Sequence, residues 1–210
     1  GATIGLRVHG PGDTSGRTVA LPFPGAATVA ADPASAHADF LYALAGWAQP
    51  AAGYLLQSDL QSQPLPQFTT RVQTELPALE VQDVQVRSHD GVLVPMTLLH
   101  RKGLVRDGSH PALVVGYGSY GLSMTAGFNP GNMAWIEQGG VLAIANVRGS
   151  GVYGNPWRQA GSRGNKPNTW KDGIACGQYL VDAGYASPAT LAVTGGSAGG
   201  IFAGRAITAA

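Results

Sequence analysis

Apolar positions fall in two rhythms along this chain. Over the first third they come as short runs, 6–8, 18–23, 40–45 and 53–57, each bounded by Gly, Pro, Asp or Ser. Short strands punctuated by turns predict an antiparallel all-β unit of the kind a propeller blade makes. From Ser58 to Pro77 the chain turns polar and proline-containing, with Gln61, Gln63, Pro64 and Pro66. That is the chemistry of a linker or an edge strand. A boundary is placed near residue 76, dividing the chain into units over 1–76 and 77–210.

After the boundary the rhythm changes. Residues 84–86 and 92–99 flank His89-Asp90-Gly91, a hairpin signal with Asp-Gly at its centre. Residues 112–116 and 141–147 are short continuous apolar runs, and 132–138 between them predicts a short helix closed by Gly139 and Gly140. A longer helix is expected over 170–183, ending at Gly184, followed by a buried strand over 191–194. Continuous apolar strands alternating with helices predict an α/β domain with a mainly parallel sheet covered on both faces. The fifth strand of this unit ends at Gly195.

Composition removes several classes of function. A net charge of +1 on 210 residues, with no basic patch, gives no footprint for nucleic acid or anionic lipid. The short cluster His100-Arg101-Lys102 reads as a solvated strand end. No stretch reaches the roughly 20 apolar residues that span a bilayer. One cysteine, Cys176, allows no internal disulfide and no metal set, and its helical spacing with Leu180 and Ala183 predicts a buried structural thiol. The chain starts at Gly1 without methionine and stops in an alanine-rich run, so both ends are expected to be cut, and the compartment stays open between cytoplasm and periplasm.

The 31 glycines cluster where the chemistry lies. Gly195-Gly196-Ser197-Ala198-Gly199-Gly200 follows the fifth strand and opens the segment 201–210. This is G-x-S-x-G in a strand–turn–helix setting, the elbow of an α/β-hydrolase. The turn lifts the serine hydroxyl above the sheet, and strand and helix pass so closely that Gly195 and Gly199 have no room for side chains. The helix N-terminus adds positive partial charge where an oxyanion forms. Gly116-Tyr117-Gly118-Ser119-Tyr120-Gly121 follows the third strand of the unit, at the loop that supplies an oxyanion donor in this fold. A tyrosine can donate there through its phenol; alternatively both tyrosines simply pack at a strand end.

These blocks, taken in order with Gly139-Gly140-Val141-Leu142-Ala143, Asn146-Val147-Arg148-Gly149, Tyr153-Gly154, Trp157, Gly161, Lys166, Asn168, Asp172 and Gly184-Tyr185-Ala186-Ser187-Pro188, resemble the prolyl oligopeptidase family. The resemblance covers residues 80–210, and more loosely 40–57. It implies an incomplete α/β-hydrolase domain preceded by the tail of an all-β propeller. It also implies Ser197 as nucleophile, the Tyr117 hydroxyl and the Ala198 backbone N–H as oxyanion hole, and Tyr120 beside the substrate pocket. Val152 departs from the glutamate that prolyl oligopeptidases carry there, while Ser119-Tyr120 and Ala198 lean towards the oligopeptidase B branch.

The expected activity is therefore serine-type peptide hydrolysis through an acyl-enzyme, with no cofactor and no metal. A propeller over the active site would exclude folded proteins, so short peptides are the expected substrate. A carboxylesterase on the same fold and a non-catalytic peptide-binding relative are the alternatives. His9, His37, His89, His100 and His110 all precede the serine, whereas this fold orders its triad Ser, Asp or Glu, then His, so the base and its carboxylate are expected beyond Ala210. His89 and His110 read as surface residues. Asp172 reads as structural, at a helix start where a carboxylate meets orphan N–H groups. Arg148-Gly149-Ser150-Gly151 lacks the remaining positions of a phosphate-binding loop.

Overall fold

The computed structural model describes residues 2–30, 40–72 and 75–210; His37 lies outside them. The chain divides into two compact units, Ala2–Leu76 with Thr125–Pro130, and Pro77–Met124 with Gly131–Ala210.

The first unit pairs β1 (Arg7–Val8) with β2 (Arg17–Thr18) and builds an antiparallel sheet from β3 (Ala26–Ala30), β4 (Phe40–Ala45), β5 (Ala52–Leu56) and β6 (Ser62–Leu65) in chain order. Alternation explains the core. Tyr42 and Leu44 of β4 and Tyr54 and Leu56 of β5 point to one face and are buried with Val19 and Ala27. Tyr42 stacks on Tyr54, ring centroids 5.2 Å apart. Of the expected strand over 18–23 only Thr18 is in a strand, at the end of β2, and β3 forms instead after the Pro22–Pro24 corner. β6 takes up the polar stretch as an edge strand, where Pro64 is tolerated.

The second unit holds a five-stranded sheet of β7 (Leu79–Arg87), β8 (Leu93–Arg101), β9 (Ala112–Gly116), β10 (Val141–Ala145) and β11 (Leu191–Thr194), in spatial order β11-β9-β10-β8-β7. The sheet is mixed rather than mainly parallel: β11–β9 and β9–β10 run parallel, while β10–β8 and β8–β7 run antiparallel. The tight turn at His89-Asp90-Gly91 makes a hairpin of β7 and β8, and β10 then lies against β8 in the opposite sense. Helices α1 (Pro130–Glu137), α2 (Gly154–Gln159), α3 (Pro167–Asp182) and α4 (Gly199–Ala209) complete the order, α2 without an apolar signal in the sequence.

β8 and β10, flanked on both sides, are buried on both faces, which is why they read as continuous apolar runs. Val94, Met96 and Leu98 share one face with Val141, Ala143 and Ala145, and Cys176, Leu180 and Phe202 of α3 and α4 pack on it. Cys176 is fully buried and its thiol pKa is pushed up by that burial, so the structural reading holds. His100 does not fit the solvated strand end. The two-residue period puts it on the Val94–Leu98 face, where it is buried against Tyr185 at 5.4 Å, its Nδ1 3.0 Å from the Arg101 carbonyl; only Arg101 and Lys102 are exposed.

Candidate active site

Parallel pairing sets Thr194 of β11 opposite Val115 of β9, so the two strands finish side by side at Gly195 and Gly116. Ligands of open α/β sheets bind at such carboxyl ends. Beyond Gly195 the chain turns sharply, with the Gly199 amide donating to Gly196 O (2.7 Å) and the Gly200 amide to Ser197 O (2.9 Å), and α4 begins. Ser197 is solvent-exposed at φ +52°. That left-handed backbone costs a non-glycine residue about 1–3 kcal/mol and persists where the surroundings over-determine it.

The surroundings here are backbone. A Cβ on Gly195 would meet the Gly199 carbonyl and lie 2.6 Å from Gly116 O; a Cβ on Gly199 would lie 2.8 Å from Gly116 O and 3.3 Å from the Tyr117 ring. The crowding expected at both glycines is present, and it packs the elbow directly against Tyr117. Phe202, one turn into α4, wedges its ring between Gly116 and Gly173, where a Cβ on Gly116 would lie 2.6 Å from it. The Ala198 N–H, just before α4, has no acceptor among the described residues, whereas the Gly199, Gly200 and Ile201 amides that follow it are each paired.

The loop after β9 carries Tyr117 and Tyr120, whose rings are 6.5 Å apart. Tyr120 is 75% exposed at φ +57°. It and Ser197 are two of only four non-glycine residues in the left-handed region among the described residues. The structure thus gathers Ser197, Ala198 and Tyr117 at one sheet edge, with Tyr120 projecting into solvent on the Tyr117 loop.

That loop is held along its length by residues of the resemblance blocks, through contacts the sequence does not show. Lys166 Nζ donates to Gly118 O (2.6 Å) and Ser119 Oγ (2.8 Å). The Gly121 amide donates to Gly149 O (3.0 Å), and the Asn146 side chain exchanges two hydrogen bonds with the Met124 backbone (2.8 and 2.9 Å). Gly149 sits at φ +100° with its α-carbon against Gly118 O, leaving no space for a side chain.

Arg148 anchors the frame from below. Its guanidinium is buried, donates to Asp172 at 2.6 Å, and also pairs with Asp90 in the β7–β8 turn. Burial works against this charge, but hydrogen bonds to Asp172 and Asp90 outweigh it and hold the Arg148 pKa above its ordinary value. Asp172 is structural as expected but by a different mechanism. It is the sixth residue of α3, fully buried, and accepts from the Arg148 amide (2.9 Å) and the Ser88 hydroxyl (2.6 Å) rather than from helix-end amides. The Arg148 guanidinium is committed to carboxylates and is not free to meet a phosphate.

The described histidines are all occupied away from Ser197. His89 is exposed in the hairpin turn, 3.9 Å from Asp90. His110 is partly exposed, lying 3.2 Å from Gly139 O and 2.9 Å from Val105 O. His9 meets Asp13 O. Among the described residues no group of three or more His, Cys, Asp or Glu could hold a metal ion, and no helix is long and apolar enough to cross a membrane.

Residues 126–210, which contain the elbow, match the prolyl oligopeptidase family. Over that stretch the chain is similar to the prolyl oligopeptidases. It is 39% identical over 127 residues to the prolyl endopeptidase of Elizabethkingia meningoseptica, covering 60% of this chain and 18% of that protein. It is 41% identical over 114 residues to Protease 2 of Moraxella lacunata, covering 54% of this chain and 16% of that one. Among solved structures it is similar to prolyl oligopeptidase B from Galerina marginata, with a TM-score of 0.89, 27% identity, and coverage of 98% of this chain and 29% of the other. The chain therefore spans less than a third of the length of the relatives it matches.

Proposed function

We propose that this chain carries the nucleophile and oxyanion hole of a serine peptidase acting on short peptides. The observation that supports it most is Ser197 at φ +52° between β11 and α4, packed through Gly199 against Tyr117. In this reading Ser197 Oγ attacks a peptide carbonyl while a histidine from elsewhere in the complete protein takes its proton. The Tyr117 hydroxyl and the Ala198 N–H donate to the oxygen as it gains charge. The C–N bond breaks, the amine leaves with the proton returned by the base, and an acyl-enzyme remains on Ser197. Water, deprotonated by the same base, releases the acid. No cofactor or metal enters these steps. Tyr120 borders the substrate.

Residues 77–210 are then the N-terminal part of an α/β-hydrolase domain, and residues 1–76 the end of a β-propeller, with β3–β6 as one blade. The names of the relatives support proline before the scissile bond. The complete protein, treated with a fluorophosphonate, is expected to carry the label on Ser197 by peptide mass spectrometry. It is expected to hydrolyse a proline-based reporter peptide faster than an arginine-based one, and Ser197→Ala to abolish both. Hydrolysis of esters with peptides left intact would favour a carboxylesterase, and peptide binding without labelling a non-catalytic relative.

A further inference from the structure

Lys166 is half-buried and makes no ion pair with any described acidic residue. An ammonium withdrawn from water without a counter-ion is costly. Desolvation lowers its pKa accordingly. The charge is aimed at two neutral acceptors, Gly118 O at 2.6 Å and Ser119 Oγ at 2.8 Å, across more than 45 residues of chain. Both acceptors lie immediately after Tyr117. The other side of the same peptide is closed: Gly118 is at φ +64°, and a Cβ there would meet the Thr169 methyl and lie 2.8 Å from a Val147 methyl. Thr169 and Lys166 both belong to the start of α3, and Thr169 is itself fixed by donating to Arg148 O at 2.8 Å.

We infer that Lys166 is a positioning residue for the oxyanion hole: its ammonium clamps the Gly118–Ser119 peptide and so fixes where the Tyr117 phenol points. The inference rests on the serine-peptidase reading above. A donor aimed at a developing oxyanion works only if it is in place before charge appears, because reorganisation during the reaction forfeits its advantage. A loop tyrosine is anchored only by its backbone, and charge-assisted bonds to the next peptide supply that anchor where a neutral side chain would be weaker. Ground-state binding of the peptide substrate does not depend on the phenol direction to the same degree, so the effect belongs in turnover.

The test uses the complete protein and a reporter peptide. Lys166→Met is expected to lower kcat by about ten- to a hundredfold, as misplacement of a catalytic group by up to an ångström does, with KM within about twofold. Ser119→Ala, which removes one acceptor and keeps the fold, is expected to lower kcat by severalfold with KM unchanged. Lys166→Arg, which restores charge and donors, is expected to recover part of the loss. The decisive readout is coupling: Tyr117→Phe/Lys166→Met should be no slower than Tyr117→Phe alone, since a clamp on an absent donor has nothing left to position. Unchanged kcat in both Lys166→Met and Ser119→Ala overturns the inference, as does a loss that multiplies with that of Tyr117→Phe. Turnover that survives Ser197→Ala overturns the functional reading and the inference with it, whereas turnover that needs Ser197 and Tyr117 but ignores Lys166 sinks the inference alone.

Discussion

Glycines at the elbow act by what they lack. Gly199 lies against backbone oxygen and the Tyr117 ring at distances no side chain tolerates, whereas a Cβ on Gly204, five residues on in the same helix, meets nothing within 4 Å. The two positions therefore predict opposite outcomes. Gly199→Ala must push α4 or the Tyr117 loop away, and the complete protein should lose about tenfold or more in kcat, as a sub-ångström misplacement does. Gly204→Ala sits on the exposed side of α4 and should keep full activity while adding about 0.5–1 kcal/mol of stability through lower backbone entropy in the unfolded chain. Reporter-peptide kinetics beside thermal melts separate the two, and equal activities would show that the elbow has slack. Both positions read alike in the sequence as glycines of one glycine-rich segment; the crowding at Gly199 was legible only because a strand–serine–helix motif implies it.

Among elements, the Arg148 cluster joins three that are far apart in the chain: the β7–β8 turn through Asp90 and Ser88, the loop after β10 through Arg148, and α3 through Asp172. The partly exposed Asp90 carboxyl is held below the usual carboxylate range, chiefly by its hydrogen bond to Arg148. A depressed carboxylate stabilises the fold above its unfolded pKa of about 3.9 and loses that contribution as pH falls through the lower folded value. Denaturant melts of the complete protein should therefore weaken between about pH 4 and the acid limit, and Asp90→Asn should remove part of that slope while lowering stability near neutrality. An identical acid slope in Asp90→Asn would place the effect on other carboxylates. None of this pairing was readable in advance, because Arg148 sits in a glycine-rich turn and Asp172 near a helix start, and each local setting offers a sufficient explanation of its own.

For the molecule as a whole, β11 is an edge of the sheet, paired among the described residues only with β9, and its residues alternate between half-buried and exposed. Beside it an apolar groove of about 530 Å³ runs between α3, α4 and β11, lined by Val181, Leu191, Val193 and Ile207. An uncovered strand edge next to apolar surface is a site of self-association. No described histidine contacts Ser197, and a serine hydroxyl is a weak nucleophile until a positioned base takes its proton. Residues 1–210 expressed alone should accordingly self-associate on size-exclusion chromatography and hydrolyse reporter peptides at no more than background. Robust turnover that disappears in Ser197→Ala would mean that an upstream histidine reaches the serine, and the order of the triad expected from the fold would be wrong.

Sequence alone determined what depends on neighbours along the chain. Apolar runs bounded by turn residues located β4, β5, β8, β9, β10, β11 and α3 to within a few residues, and G-x-S-x-G between strand and helix located the elbow, because these signals arise from residues close together in the chain. Strand pairing is different. β9 slips between β10 and β11 and leaves β8 against β10, giving a mixed sheet from strands that all read as buried. His100 became buried, and Lys166 came to clamp a loop nearly fifty residues upstream, for the same reason. Whether a polar side chain meets water, a carboxylate or a carbonyl is set by which distant element arrives opposite it, and only the tertiary structure brings those elements together.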